Sequence, residues 1–336
     1  MLENFWYAVE LSSAVTTKPK QVTIMGRELV LYRDSQKKAV ALNNRCAHRG
    51  AALSLGWVKK GCIECPYHGW KYQSDGKCVN IPANHSNVSI PKRARVDAYP
   101  VQEKYGFIWV FLGDMPTTEC PPIPEFSQFE DPVRKPACLE YNFSAHYTRT
   151  IENVLDVSHA PFMHKGSVGT SKTPEDTVIE DYELQVSEWG LSATLGIKIN
   201  KLNGLMKFIL PQDDPNAKKE YRFALPNITY SSVQFGSYKI ESITAHVPID
   251  ETTTVAKAIS IRNFLNNVPL LNDWFDRNTA KVGTKICQED DVVVQDQIPK
   301  QVPYNNMSCE LLVASDATLI AYRKLLKKYG KQLEKV

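Results

Sequence analysis

Two pairs of metal-binding side chains stand close together in the first quarter of the chain. Cys46 and His48 form a Cys-x-His pair, and Cys65 and His68 form a Cys-x-x-His pair after a gap of sixteen residues. Each pair offers one thiolate and one imidazole, which suits a two-iron cluster whose one iron keeps Cys ligands while the other takes two His. Two neutral imidazoles in place of two thiolates leave such a cluster less negative and raise its reduction potential.

Two other interpretations of this stretch compete with the cluster. Zinc sites of the Cys2His2 type usually place two Cys together and then two His, whereas here the two residue types alternate. Cys62 and Cys65 alone would read as a redox Cys-x-x-Cys pair. Because Cys62 falls in a predicted strand, Gly-Cys-Ile-Glu-Cys, we interpret it as a buried thiol that packs as a small hydrophobic group.

A second group of candidate ligands lies between residues 152 and 164. Asp156 and His159 are three residues apart and would share one face of a helix. His159 and His164 would lie about 140° apart around an ideal helix, so we expect Pro161 to break or kink the helix after His159. Two His and one carboxylate from elsewhere form the facial triad of non-haem Fe(II), which leaves positions open for dioxygen and substrate.

The third ligand of such a triad should be distant in sequence. Candidate carboxylates cluster between residues 287 and 296. Helical periodicity does not choose between Asp290 and Asp291, although it slightly favours Asp291, whose face of the helix carries more apolar neighbours. Taken alone, an acidic run is usually a solvated helix face, and two His on a helix are more often structural than metal-binding.

The co-occurrence of the two groups resembles the Rieske non-haem iron oxygenases. Cys-x-His, a gap and Cys-Pro-Tyr-His-Gly-Trp are similar to the Rieske [2Fe-2S] motif, and Asn-x-x-Asp-x-x-His-x4-His, from Asn153 to His164, resembles the catalytic domain of that family. The resemblance covers essentially the whole chain. It includes a Glu-Asp-x-Val-Val-Val pattern whose Asp is the third iron ligand in the family, and on this match we choose Asp290 over Asp291.

The resemblance implies a function and a set of partners. The chain would be an oxygenase α subunit of the homotrimeric monooxygenase and demethylase branch, which uses O2 to hydroxylate or oxidatively demethylate a small organic substrate at a mononuclear Fe(II). Its electrons would come from a ferredoxin and/or flavin reductase, and so indirectly from NAD(P)H. Asp156 would bridge neighbouring subunits by accepting hydrogen bonds from cluster ligand His68 of one chain and iron ligand His159 of the next.

Three alternatives stay open. The chain could be an aromatic-ring cis-dihydroxylating dioxygenase or a Rieske electron carrier fused to a binding domain. A zinc-stabilised interaction module without redox function is the third.

The resemblance is closest to members that act on small polar alkaloids or alkoxy-aromatics, but a fold and a triad do not determine the substrate. The remaining histidines, His85, His146 and His246, have no ligand-like context and are interpreted as structural.

Composition favours an ordinary soluble protein. The 336 residues are enough for two domains, with 43% hydrophobic and 23% charged residues, and a net charge of +3 does not suggest a nucleic-acid partner. The eight cysteines are scattered, which fits a reducing cytoplasm better than a disulfide framework. No secretion signal is visible, and the longest apolar run, Phe107–Leu112, is too short for a membrane span. We therefore expect a cytoplasmic protein without membrane or nucleic-acid partners.

The pattern of elements predicts an α+β protein with two domains. Short β-branched and aromatic runs predict an all-β domain at 1–115, with a hairpin turn at Asp75-Gly76, and the resemblance implies that this is the Rieske domain. Six prolines between 116 and 137 predict an extended connection. An α+β catalytic domain with an antiparallel sheet and helices would follow at 138–336. Its predicted elements are hairpins around 188–190 and within 243–261, helices at 272–297 and from an N-cap at Ser315, and a cover over the pocket entrance at 200–235.

Overall fold

The computed structural model describes residues 2–134, 136–164, 182–197, 214, 216–266 and 269–330. Contacts divide the chain into two units, Glu3–Phe126 and Ser127–Val336, the second of which also includes Met1–Leu2. No helix among the described residues is both long and apolar enough to cross a membrane.

The first unit is built of antiparallel β-strands, as the sequence predicted. Three small sheets have the strand orders β1-β11-β10, β2-β3-β4-β9 and β5-β6-β7-β8. The strands are β1 Phe5–Leu11, β2 Lys20–Ile24, β3 Arg27–Arg33, β4 Ala39–Asn43, β5 Trp57–Lys59, β6 Cys62–Glu64, β7 Lys71–Tyr72, β8 Cys78–Asn80, β9 Ala98–Tyr99, β10 Val101–Lys104 and β11 Phe107–Leu112. All residues of β1 and β11 are buried. For this reason the sequences of these strands do not alternate between apolar and polar residues.

The hairpin turn between β7 and β8 lies where the sequence predicted it. Gly76 has a φ of +80°, and a Cβ atom there would lie 2.0 Å from the carbonyl oxygen of Val96. Asp75 accepts a hydrogen bond from the main-chain N–H of Lys77 at 3.0 Å. Only glycine combines this left-handed conformation with so close a backbone approach.

The second unit contains a seven-stranded antiparallel sheet in the order β12-β18-β17-β16-β15-β14-β13. Its strands are β12 Ala137–Phe143, β13 Glu183–Val186, β14 Gly190–Gly196, β15 Lys218–Ala224, β16 Ile228–Phe235, β17 Tyr238–Pro248 and β18 Thr254–Arg262. The two predicted hairpins are confirmed as β13–β14 and β17–β18. The predicted cover at 200–235 is wrong for 218–235, which form the interior strands β15 and β16; residues 200–213 and 215 lie outside the described residues.

Four described α-helices accompany this sheet. They are α1 Tyr147–Leu155, α2 Ala160–Met163, α3 Pro269–Val294 and α4 Ala317–Gly330. The register places Leu139, Phe223 and Thr229 on one face of the sheet. There α3 packs against Leu139 at Gly283, and Tyr322 of α4 packs against Phe223 with ring centroids 4.7 Å apart. α3 and α4 therefore lie on the same face of the sheet.

Two predicted helix ends differ from the structure. α3 begins three residues before the predicted Asn272 and ends at Val294 rather than at 297. Ser315 is not an N-cap, because it lies inside a short 3₁₀ turn, Ala314–Asp316, that precedes α4. The carboxylate of Asp316 stabilises the start of this turn by accepting the main-chain N–H of Val313 at 2.8 Å.

Candidate metal centres

Two loops of equivalent backbone geometry carry the first set of candidate ligands. The first follows β4, and the second is the tip of the β6–β7 hairpin. In each loop the N–H of the Cys bonds the carbonyl five residues on, and a glycine with positive φ returns its N–H to the carbonyl of the Cys. These bonds are Cys46 N to Ala51 O at 2.9 Å, Gly50 N to Cys46 O at 2.8 Å, Cys65 N to Trp70 O at 2.8 Å and Gly69 N to Cys65 O at 3.0 Å.

Both loops point their thiols inward and their imidazoles outward. Cys46 and Cys65 are buried in the core of the unit, whereas His48 and His68 are exposed, with ring centroids 4.7 Å apart. Burial raises the pKa of the Cys46 thiol and the neighbouring Cys65 raises it further, while a hydrogen bond from Tyr72 opposes the shift. Two adjacent buried thiols and two adjacent outer imidazoles fit a [2Fe-2S] cluster whose inner iron has Cys ligands and whose outer iron has His ligands.

Tyr72 is a contact of the first loop that the sequence did not reveal. Its hydroxyl oxygen lies 3.2 Å from the main-chain N of Ala47 and 3.0 Å from Sγ of Cys46. Because the oxygen accepts the N–H of Ala47, the hydroxyl proton is available to the sulfur. Hydrogen bonds to ligand sulfurs tune the potential of such clusters. His48 is held in turn by Trp70, on which it stacks with ring centroids 4.6 Å apart and planes 4° apart.

The second set of candidate ligands meets at one point in the second unit. Oδ1 of Asp290 lies 3.2 Å from Nε2 of His164 and 3.7 Å from Nε2 of His159. Two atoms that each lie about 2.1 Å from one ion at a right angle are about 3 Å apart. The two distances from Oδ1 are near this value, and all three ligand atoms lie within 4.8 Å of one another, close enough to share one ion.

The hydrogen bonding of Asp290 also fits a metal ion. Its Oδ1 is buried and has no hydrogen bond of acceptable geometry in the described part of the chain, although Nε2 of His164 is near. Nδ1 of His164 lies 2.8 Å from Oε2 of Glu289, so the ring proton is on Nδ1 and Nε2 presents its lone pair to the site. A buried carboxylate beside imidazole lone pairs is costly unless a cation joins them.

The electrostatic surroundings of the two histidines differ. Burial lowers the pKa of His159, and the charge of Asp290 opposes this only in part. Burial would also lower the pKa of His164, but the hydrogen bond to Glu289 and the negative charges of Asp290 and Glu289 outweigh burial and raise that pKa above its ordinary value. A divalent cation would take the place of the proton that these carboxylates attract.

A short irregular segment, not a kink within one helix, separates the two histidines from α1. The helix ends at Leu155, because Oδ1 of Asp156 accepts the N–H and the hydroxyl of Ser158 at 2.8 and 2.7 Å and turns the chain. The prediction that Pro161 breaks the helix after His159 is wrong. Pro161 lies in the first turn of α2, where no donor is missed. His159 and His164 thus flank a four-residue helix.

Asp156 contacts His159 through its main chain. Nδ1 of His159 lies 2.8 Å from the carbonyl oxygen of Asp156. The predicted shared helix face is absent, because neither residue lies within α1. Within this chain, the Asp156 carboxylate holds Ser158.

Neighbouring acidic residues of α3 point to different partners. Asp291, the alternative third ligand, accepts the N–H of Ser144 at 2.9 Å and the hydroxyl of Tyr141 at 3.3 Å, so it holds the segment between β12 and α1. Glu289, which the sequence interpretation did not single out, contacts His164. Its only sequence signal was its place beside Asp290 in the Glu-Asp motif.

The other histidines in this unit have structural contacts. His146 caps α1 by accepting the N–H of Thr148, and burial lowers its pKa to about 4. His246 is fully buried between the hydroxyls of Thr150 and Thr229, each 2.9 Å from a ring nitrogen, and burial lowers its pKa to about 3. Both rings are neutral at pH 7.

Comparison with known proteins matches the two halves of the chain to two family models. Residues 5–100 match the Rieske [2Fe-2S] domain, and residues 143–332, more than half of the chain, match the vanillate O-demethylase oxygenase C-terminal domain.

Similar proteins span nearly the whole chain. The methylxanthine N1-demethylase NdmA of Pseudomonas putida is 29% identical over 347 residues, which cover 97% of this chain and 88% of that protein. The methylxanthine N3-demethylase NdmB of the same organism is 28% identical over 348 residues, which cover 96% and 88%.

Solved structures show the same architecture. NdmA of Pseudomonas putida CBB5 with caffeine superposes with a TM-score of 0.82 at 26% identity, covering 98% of this chain and 92% of that chain. Dicamba monooxygenase bound to dicamba shares the fold with a TM-score of 0.82 at 24% identity, covering 100% and 99%. The chain belongs to the Rieske non-haem iron oxygenases, as an α subunit whose catalytic domain is of the vanillate O-demethylase oxygenase type.

Proposed function

We propose that this Rieske oxygenase is a monooxygenase that hydroxylates or oxidatively demethylates a small organic substrate. One observation carries the proposal: a chain with a Rieske domain also brings His159, His164 and Asp290 within 4.8 Å of one another through their ligand atoms. An electron-transfer protein needs only the first of these features. A buried 2-His-1-carboxylate set is the ligand arrangement of oxygen-activating Fe(II).

The proposed reaction divides the work between the two ligand sets. When bound, a [2Fe-2S] cluster supplies single electrons and a mononuclear Fe(II) supplies positions for O2 and substrate. Cys46, His48, Cys65 and His68 would hold the cluster, and His159, His164 and Asp290 would hold the iron. A triad of two His and one carboxylate would leave other positions of the ion open for O2 and substrate.

Partners and assembly are part of the proposal. Electrons would reach the Rieske domain from a ferredoxin and/or flavin reductase that draws on NAD(P)H. The protein would work in the cytoplasm as a homotrimer in which Asp156 helps electrons cross between subunits. We also propose the division into a Rieske domain at 1–115, a connection at 116–137 and a catalytic domain at 138–336.

The relatives point to a substrate class. NdmA and NdmB are methylxanthine N-demethylases. Both align over nearly the whole of this chain, so a small N-methyl or O-methyl heteroaromatic compound is the substrate class to test first. Hydroxylation of the methyl carbon followed by loss of formaldehyde would give the demethylated product.

Turnover with a surrogate ferredoxin, reductase and NADH tests this function. The holoenzyme would be incubated under ¹⁸O2 with a panel of N-methyl and O-methyl heteroaromatic compounds, and products would be identified by mass spectrometry. Demethylation predicts loss of one CH2 from the substrate and stoichiometric formaldehyde, and simple hydroxylation predicts one ¹⁸O atom. The matched control is Asp290→Asn, which removes a proposed iron ligand and should give neither product.

The same experiment separates the alternatives. A product with two ¹⁸O atoms on adjacent ring carbons would favour a cis-dihydroxylating dioxygenase. NADH oxidation that passes electrons only to an added acceptor, without any oxygenated product, would favour an electron carrier.

A further inference from the structure

The two histidines of the candidate iron site differ in what holds the nitrogen that faces away from it. Nδ1 of His159 lies 2.8 Å from the main-chain carbonyl oxygen of Asp156, and Nδ1 of His164 lies 2.8 Å from the carboxylate of Glu289. Each partner accepts the Nδ1 proton and so leaves the lone pair of Nε2 directed at the site. The first partner is neutral and the second carries a negative charge.

We infer that Glu289 is a positioning residue for the iron: it fixes the tautomer of His164 and places a second negative charge beside Asp290. The inference rests on the proposed function, because it takes His164 and Asp290 to be iron ligands. A carboxylate that accepts the outer N–H of a ligand histidine orients the ring and makes it a stronger donor.

Burial makes this charge effective. The side chain of His164 is 4% exposed and that of Glu289 is 23% exposed, so little water screens the bond between them. Lys285 is the more exposed partner of Glu289, with Nζ 3.7 Å from Oε1 and a side chain that is 55% exposed. Of these two contacts of Glu289, the one to His164 is shorter and better shielded from water.

Charge balance gives Glu289 a second role. Asp290 alone would leave a buried divalent ion with a net positive charge, whereas Asp290 and Glu289 together carry two negative charges. Burying a balanced set of charges costs much less than burying an uncompensated one. Because Glu289 and Asp290 are consecutive on α3, one helical segment delivers both charges to the site.

Metal affinity is the measurement that separates this role from a purely structural one. The dissociation constants for Fe(II), and for Co(II) as an oxygen-stable probe, would be determined anaerobically on protein that keeps its cluster and has been freed of mononuclear iron by chelation. The variants are Glu289→Ala, which removes charge and acceptor, and Glu289→Gln, which keeps an acceptor oxygen but removes the charge. Gln288→Ala, at the exposed neighbouring position on α3, is the matched control.

We expect the affinity of Glu289→Ala to fall about 10- to 100-fold. Glu289→Gln should show a smaller loss and shifted Co(II) ligand-field bands, and Gln288→Ala should stay near the wild type. An unchanged affinity in Glu289→Ala would overturn the inference while leaving the iron site intact. If Glu289→Ala does not fold, Glu289→Gln becomes the test. A metal affinity and a Co(II) spectrum of Glu289→Gln that both equal those of the wild type would overturn the role of Glu289. Failure of wild-type protein to bind either ion would instead refute the proposed function.

Discussion

At the scale of single residues, Asp290 and Asp291 show why periodicity could not choose between two candidates for the third ligand. Consecutive residues of a helix point about 100° apart, and both faces of α3 meet other parts of the unit. One face holds Asp290 against His159 and His164, and the other holds Asp291 against Ser144 and Tyr141. Helical periodicity detects burial on both faces alike, so only the resemblance to a family motif distinguished them.

Substitution of each aspartate by asparagine tests this division. Asp290→Asn should lose the mononuclear iron, so that the iron content falls from about three to about two atoms per chain. Asp291→Asn should keep the iron but lower the free energy of unfolding by about 1–3 kcal/mol, because a charge-assisted bond to Ser144 is weakened. Iron quantitation and urea unfolding measure the two effects. Loss of one iron atom in Asp291→Asn, with full iron content in Asp290→Asn, would make Asp291 the ligand.

Asp156→Asn tests the proposed electron bridge. Asparagine keeps an Oδ1 acceptor for the N–H of Ser158, and the main-chain bond to His159 does not depend on the side chain. We therefore expect both metal sites to stay filled while the rate of electron transfer to the iron falls at least about tenfold. Single-turnover kinetics followed by cluster absorbance measure that rate. Ser158→Ala is the control for the local turn, and an unchanged rate in Asp156→Asn would remove the bridging role.

At the scale of elements, buried polar contacts join α1 to the sheet. Oγ1 of Thr150 donates to the carbonyl of Tyr147 at 2.9 Å, so it accepts the Nδ1 proton of His246. Nε2 of His246 then accepts the hydroxyl proton of Thr229 on β16. Both ring nitrogens of His246 have hydrogen-bond partners when the ring is neutral. A protonated ring would carry a second N–H, on Nε2, that faces the hydroxyl proton of Thr229 instead of an acceptor. We therefore expect acid to weaken the packing of α1, the helix that precedes His159 and His164.

The depressed pKa of His246 predicts a pH dependence of stability. Its pKa is about 3 in the folded protein and about 6.5 in the unfolded chain. Between these values the unfolded chain binds the extra proton, so stability falls as the pH is lowered through that window and is fully present above it. From pH 7 to pH 5 His246 alone should account for a loss of about 2 kcal/mol, and the depressed pKa of His146 adds to the total. Urea unfolding at both pH values measures it, and the loss should be smaller in His246→Gln. Equal losses in both proteins would contradict the assignment.

A buried ionic network fixes α1 to α4. Arg149 and Glu152 of α1 pair at 2.8 Å, and Glu152 pairs with Arg323 of α4 at 2.7 Å. Glu310 pairs with both arginines at 2.5 Å. Each charge has a buried partner, so removing one charge leaves another uncompensated.

Arg323→Met should consequently cost about 3–5 kcal/mol of the free energy of unfolding. The exposed pair Arg27–Glu3, whose side chains are each 41% exposed, provides the comparison. Arg27→Met should cost less than about 1 kcal/mol. Thermal and urea unfolding of the two variants measure the difference. A similar small effect in both would show that the network contributes little.

At the scale of the whole molecule, patterns with a local cause were predictable from the sequence. The two hairpins of the second unit and the turn at Asp75-Gly76 follow from alternation and turn chemistry over a few residues. The end of α1 was not predictable, because it depends on the bond from Asp156 to Ser158, which competes with helix. The contact of Glu289 with His164 spans 125 residues and has no periodic signal. The domain limits 1–115 and 138–336 stay predictions.

The metal content of the purified protein tests the central claim most directly. Iron, zinc and acid-labile sulfide would be quantified per chain in the wild type and in a variant that carries both His159→Ala and His164→Ala. We predict about three iron atoms and two sulfides in the wild type, and about two iron atoms with unchanged sulfide in the variant. Two iron atoms in both proteins, or zinc in place of iron, would contradict an oxygenase with a Rieske cluster and a mononuclear iron in one chain.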